Sequence, residues 1–209
     1  MCSIIGSFSK EKIKELAALN AYRGQHSHSI TVFDCYTFDV LYQSKDFGPL
    51  DVDAHTFPEE KVYIVAHQQA PTTDNKNTDS IHPAQIGNNM LWHNGIVKDK
   101  GVKELQKRLE STMTWDTKLI LQQLINEDTP DNIDGTFSCL WFDGSNILVF
   151  RNEISPLFID SELNISSTKF SGSTSVEPNM MHLLETSRGM EGLTDVKPFT
   201  TVENPYYFA

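Results

Sequence analysis

Residues 2–7, CSIIGS, form a run of mostly small and apolar residues, the length of a short buried strand. Ser9, a favoured helix N-cap, comes next. Ile13, Leu16 and Ala17 then recur at spacings that share one helical face, and this helix is predicted to stop near Gly24. Residues 29–35 and 37–43 are rich in β-branched and aromatic types and are predicted to pair as strands. Residues 44–60, punctuated by Gly48-Pro49, read as a loop. A buried strand is predicted over 62–67. From 70 to 88 the composition turns to Pro, Thr, Asn and Asp, a polar loop long enough to suggest a functional role.

Another short strand is predicted at 90–93, and two helices follow. One places Val102, Leu105 and Leu109 on a single face; the other begins at Asp116 and carries Leu119, Ile120 and Leu124. Residues 136–142 and 147–151 form a hairpin pattern across Asp143-Gly144. A further strand pair is predicted within 156–166, and a last helix over 176–185. This order suggests an α+β fold, two antiparallel sheets with helices outside, although other α+β arrangements share the same order.

At 209 residues the chain fits a single domain spanning 1–209. A chain of this size buries roughly 70% of its unfolded surface and needs no staples. The net charge of -11 excludes nucleic acid as the main partner, because phosphate binding requires a basic face. No apolar run reaches the roughly 18 residues of a membrane span. The N-terminus has neither the basic stretch nor the apolar core of a signal peptide, so a cytoplasmic location is expected. Cys2, Cys35 and Cys139 are odd in number and widely spaced, which argues against a disulfide framework. The seven histidines match no recognised metal-ligand spacing, and no metal or cofactor is expected.

Cys2 is the first residue that suggests chemistry. Removal of Met1 is efficient before a small residue and leaves a thiol and a free α-amine on one residue. An α-amine with a pKa of about 7.7–8.0 is partly unprotonated near neutrality and is able to accept the thiol proton. The alternative is a small buried strand residue. His93-Asn94-Gly95 ends the 90–93 strand. Asn-Gly is a common turn, but an Asn amide beside a Gly N–H is also a good pair of oxyanion donors.

Six motifs occur in order: MCSIIG at 1–6, YRGQHSHS at 22–29, VAHQQAPT at 65–72, LWHNGIV at 91–97, WDTK at 115–118 and IDGTFSCLWFD at 133–143. Over at least residues 2–160 the chain resembles the class II glutamine amidotransferases. That group includes the glutaminase domains of glucosamine-6-phosphate synthase, asparagine synthetase and amidophosphoribosyltransferase. The resemblance implies a four-layer αββα sandwich of the N-terminal-nucleophile hydrolase type. It implies that L-glutamine is hydrolysed through a glutamyl thioester on Cys2, with Asn94 and Gly95 as the oxyanion hole. Asp116 would hold the substrate's α-ammonium, and Arg23, Gln69, Thr72 and His93 would complete the substrate site. Asp134-Gly135 resembles the start of a packing strand and has a structural role. No second domain follows these motifs, so the ammonia is expected to pass to an acceptor-activating synthase or ligase in trans, with 70–88 as a docking or gating loop.

Two positions depart from the family pattern. Gln69 stands where an arginine usually grips the α-carboxylate, and a neutral amide lacks the bidentate charged clamp of a guanidinium. His26 stands where the family has Asp. Two alternatives stay open: an N-terminal cysteine amidase for an amide without a free α-carboxylate, and an inactive regulatory subunit with the same fold.

Overall fold

A computed structural model describes residues 2–70, 78–185 and 192–202. The short apolar run near the N-terminus becomes β1 (Ser3–Ser7), and Ser9 caps the helix that follows, its hydroxyl accepting from Lys12 N at 3.3 Å. That helix, α1 (Lys10–Asn20), ends in a single 3-10 turn at Ala21–Arg23 before the extended Gly24. The first predicted hairpin forms from β2 (Ser27–Asp34) and β3 (Val40–Phe47), and β3 runs four residues into the segment read as loop. β4 (Val62–Gln69) is buried along its whole length.

The predicted 70–88 loop contains a strand, β5 (Ala84–Ile86), paired to the far longer β6 (Asn89–Ile96). Both central helices form as predicted, α2 over Asp99–Arg108 and α3 over Asp116–Glu127. The Asp143-Gly144 hairpin joins β7 (Thr136–Phe142) to β8 (Ile147–Arg151). The 156–166 pair is β9 (Phe158–Ile159) with β10 (Ile165–Ser166), and β11 (Thr174–Ser175) adds to β9.

The helix predicted over 176–185 is a strand instead, β12 (Met180–Glu185), paired on one side with β8 and on the other with β13 (Gly192–Pro198). Val176, Met180, Met181 and Leu184 mimic a helical spacing. Pro178 lacks an N–H and disfavours helix in the residue before it. Two strand edges then satisfy the backbone on both sides, and an irregularity between Met181 and His182 resets the alternation that made the segment look helical.

The strands make two sheets, in the orders β11-β9-β10-β1-β4-β2-β3 and β13-β12-β8-β7-β6-β5. Every pairing among the described residues is antiparallel. Ile4, Phe33, Tyr63 and Val65 of the first sheet pack against Trp92, Leu140, Val149 and Leu184 of the second. The outer face of the first sheet, with Ile5, Ile30 and Ile64, covers Ile13 and Leu16 of α1. The outer face of the second, with Phe137, Cys139 and Phe150, covers Leu105 of α2 and Leu119 and Leu124 of α3. The result is the four-layer αββα sandwich. No helix among the described residues is long and apolar enough to cross a membrane.

Candidate active site

A cavity of about 540 Å³, walled on one side by α2 and α3, has a lining that includes Cys2, His26, Gln69, His93, Gly95 and Asp116. Cys2 and His26 immediately precede β1 and β2, and the others come from β4, β6 and α3, so pairing of the two sheets and docking of α3 bring them together. Five of the eight site residues singled out in the sequence line it: Cys2, Gln69, His93, Gly95 and Asp116. Thr72 lies outside the described residues.

Cys2 immediately precedes β1 and is buried at 8% exposure. Burial raises its thiol above the ordinary range, against the opposing pull of the Ala70 N–H that donates to the sulfur; Asp116 raises it further. The thiol is therefore protonated at neutral pH and needs a base to become a nucleophile. Arg23 is not a lining residue. Its Nε donates to the Cys2 carbonyl at 2.9 Å, so it holds the nucleophile's backbone. Gly24 beside it permits a close approach, since a Cβ there would stand 2.4 Å from the Ala70 nitrogen.

On the opposite wall, a Cβ on Gly95 would sit 1.9 Å from the Thr136 carbonyl oxygen. Only glycine fits, and its exposed backbone faces the cavity. Asn94 is buried just behind, its amide nitrogen 3.4 Å from Ser138 Oγ. Asp116 opens α3, where the helix dipole favours a carboxylate. Its Oδ1 accepts from Thr117 N at 2.7 Å and its Oδ2 from Val97 N at 3.1 Å. A carboxylate has about four lone-pair sites, so both oxygens keep capacity for a cation in the cavity.

Gln69 is committed on both ends of its amide. Nε2 donates to Ser80 O at 3.1 Å, which leaves Oε1 to accept from His82 Nδ1 at 3.1 Å. His82 Nε2 then accepts a hydrogen bond from the Thr117 hydroxyl at 3.0 Å, and the same Thr117 oxygen meets His93 Nδ1 at 3.1 Å. His82 also stacks on His67 at 4.1 Å and lies edge-on to Trp115 at 5.2 Å. Burial, with His67, His93 and Lys45 nearby, pushes His82 well below the usual histidine range, so the His82 ring is neutral. Lys45 on β3 pins the segment that carries His82, donating to Ile81 O at 2.9 Å and Pro83 O at 2.6 Å. Desolvation brings Lys45 down to about 8.

His82, Thr117 and Lys45 had no role in the sequence reading. Thr117 stood inside a quoted motif, but His82 lay in a polar stretch and Lys45 in a predicted loop, with no spacing to connect either to His93. Among the described residues, no group of three or more His, Cys, Asp or Glu converges as a metal site.

No protein-family model matches the chain, and no curated protein does. Solved structures do. Glutamine phosphoribosylpyrophosphate amidotransferase from B. subtilis matches over 96% of this chain at 16% identity with a TM-score of 0.68. A structure described as the allosteric regulatory enzyme of purine biosynthesis matches over 96% at 17% identity and a TM-score of 0.65. This chain spans about half of each, 49%. A glutamine aminotransferase class-II domain protein from Silicibacter pomeroyi matches over 94% of this chain and 99% of its own, at 12% identity and a TM-score of 0.52. The chain thus shares the αββα fold of these glutamine amidotransferase structures.

Proposed function

We propose that this chain hydrolyses the side-chain amide of L-glutamine through Cys2 and supplies the ammonia to a separate acceptor-activating synthase or ligase. The observation that carries the proposal is the meeting, in one cavity, of the Cys2 thiol, the Gly95 backbone and the Asp116 carboxylate. After Met1 removal the Cys2 α-amine accepts the thiol proton, and sulfur attacks the amide carbonyl. The Gly95 N–H and the Asn94 amide stabilise the tetrahedral oxyanion, each worth about 2.7–4 kcal/mol of barrier. For Asn94 this requires the amide to leave Ser138, a long contact at 3.4 Å. The α-ammonium returns its proton to the leaving nitrogen, and ammonia departs. Water then cleaves the glutamyl thioester, releasing glutamate and restoring the thiol. Asp116 takes the substrate's α-ammonium.

The test is labelling of Cys2 by a diazo-ketone analogue of glutamine, read with the intact mass. Stoichiometric labelling of Met1-free protein, abolished in Cys2→Ala, is expected; correctly processed protein that takes no label overturns the proposal. A lower glutaminase rate alone than with the partner present would support delivery in trans. A second reading rests on Gln69. Its Oε1 and one Nε2 hydrogen are occupied, so it has at most one neutral N–H for an α-carboxylate in place of a charged bidentate clamp, which favours an amide substrate without one. A higher kcat/KM for N-acyl amides than for glutamine would select that reading.

A further inference from the structure

Among the described residues, Ser29 Oγ, His67 Nδ1 and Trp92 Nε1 are buried polar atoms with no hydrogen-bond partner, and all three residues are 0% exposed. Leaving a buried polar atom unpaired costs about 1–3 kcal/mol, so each of these atoms calls for a partner. Ser29 stands directly opposite His67 in the β2–β4 register, which places their Cβ atoms roughly 4.5–5.5 Å apart. By strand alternation both side chains share the inner face with Phe33 and Val65, the face that looks toward the second sheet. The His67 ring crosses to β6, its Nε2 lying 3.1 Å from His93 O. Trp92 is the residue before His93, and its indole faces inward, edge-on to Phe33 at 6.1 Å.

The bonding roles of the three atoms are complementary. The Trp92 indole N–H can only donate. His67 Nε2 faces a carbonyl, so it carries the ring proton and leaves Nδ1 as a bare acceptor. The Ser29 hydroxyl does either. A molecule that accepts one bond and donates two satisfies all three, and buried waters make about three hydrogen bonds. Ammonium is excluded, because it has no lone pair to offer the indole.

We propose that Ser29, His67 and Trp92 form a binding site, between the two sheets and one inner-face position behind Gln69, for a single neutral molecule, water or ammonia. The occupant fixes the His67 tautomer and so keeps Nε2–H on the His93 carbonyl, one residue before Asn94. It thereby ties the strand that carries the candidate oxyanion donors to the strand that carries Gln69.

The experiment is proton NMR on the full chain, with the Trp92 indole signal identified by its loss in Trp92→Phe, together with a high-resolution crystal structure. In ammonium-free buffer, transfer from the indole proton to a long-lived water is expected, weakened in Ser29→Ala. Transfer instead to isotope-coupled protons, only after isotope-labelled ammonium is added, assigns ammonia. Either result comes with electron density within hydrogen-bond distance of all three atoms. Absence of that density, with no transfer in either buffer, overturns the proposal, as does a structure in which protein atoms satisfy the three groups. Cys2→Ala retains the occupant, so the outcome is independent of the proposed hydrolysis. Should Trp92→Phe fail to fold, Ser29→Ala and the density still decide.

Discussion

The layer between the two sheets is built in two halves from the same strands. In one half, Ile4, Phe33, Tyr63, Val65, Leu140 and Val149 interdigitate. In the other, a few residues along, the inner face carries Ser27, Ser29, His67, Gln69, Asn94 and Ser138, all buried. On β4 the change falls between Val65 and His67; on β2 it falls between Phe33 and Ser29. Burial is complete in both halves, so the difference lies in how it is stabilised. The apolar half gains from removal of surface from water, at about 25 cal/mol per Å². The polar half gains nothing that way and must pair its groups, as the Gln69–His82–Thr117 chain does. Such a half is intrinsically less stable, and it is where the cavity opens.

Substitutions separate the halves. The largest effect is expected from Gly95→Ala, whose Cβ collides with the Thr136 carbonyl and displaces the backbone N–H from the cavity. Glutamine hydrolysis should fall about 10²–10³-fold in kcat; activity within threefold of the parent in a folded variant would remove Gly95 from the oxyanion role. Leu140→Ala, in the apolar half, should cost about 2–5 kcal/mol in denaturant unfolding while KM stays unchanged. A large KM change there would mean that the halves are not independent.

Asp116→Asn should raise KM for glutamine by about 10-fold or more, for a lost charge-assisted bond of about 1.5–3 kcal/mol, with kcat less affected. The same change should leave KM unaltered for a substrate lacking the α-amine. The smallest effect is in pH. Burial holds His67 down at about 3 and His82 well below its usual range, so the unfolded chain binds protons near pH 6.5 that the folded chain refuses. Stability contributed by the neutral rings is full above that pH and is lost as pH falls toward 3. Between pH 7.5 and 5, His67 should account for about 2 kcal/mol of unfolding free energy, with His82 adding in the same direction. A flat profile over that range would show the histidines to be solvated.

Most of the architecture was legible in the chain because it rests on local signals. Ser9 and the Ile13, Leu16, Ala17 face specified α1, Asp143-Gly144 specified the β7–β8 hairpin, and the ordered motifs pointed to the sandwich. Where local signals conflicted the sequence reading failed. The 176–185 segment has helical spacing but lies between two strand edges that pair with it. β5 hid in a polar stretch because three residues give no period to read.

Alone, Cys2 reads as a buried strand residue and Asn94-Gly95 as a turn; Cys2, Gly95 and Asp116 were visible in sequence because they stand in motifs that occur in the order of the class II glutamine amidotransferases. Their meeting in one cavity required two sheets to face and a helix to dock, none of which a one-dimensional pattern encodes. The substitution at Gln69 was also visible, but its consequence was not. Only the folded chain shows its amide held between Ser80 and His82, because hydrogen bonds depend on distances of about 3 Å between atoms that sequence leaves far apart.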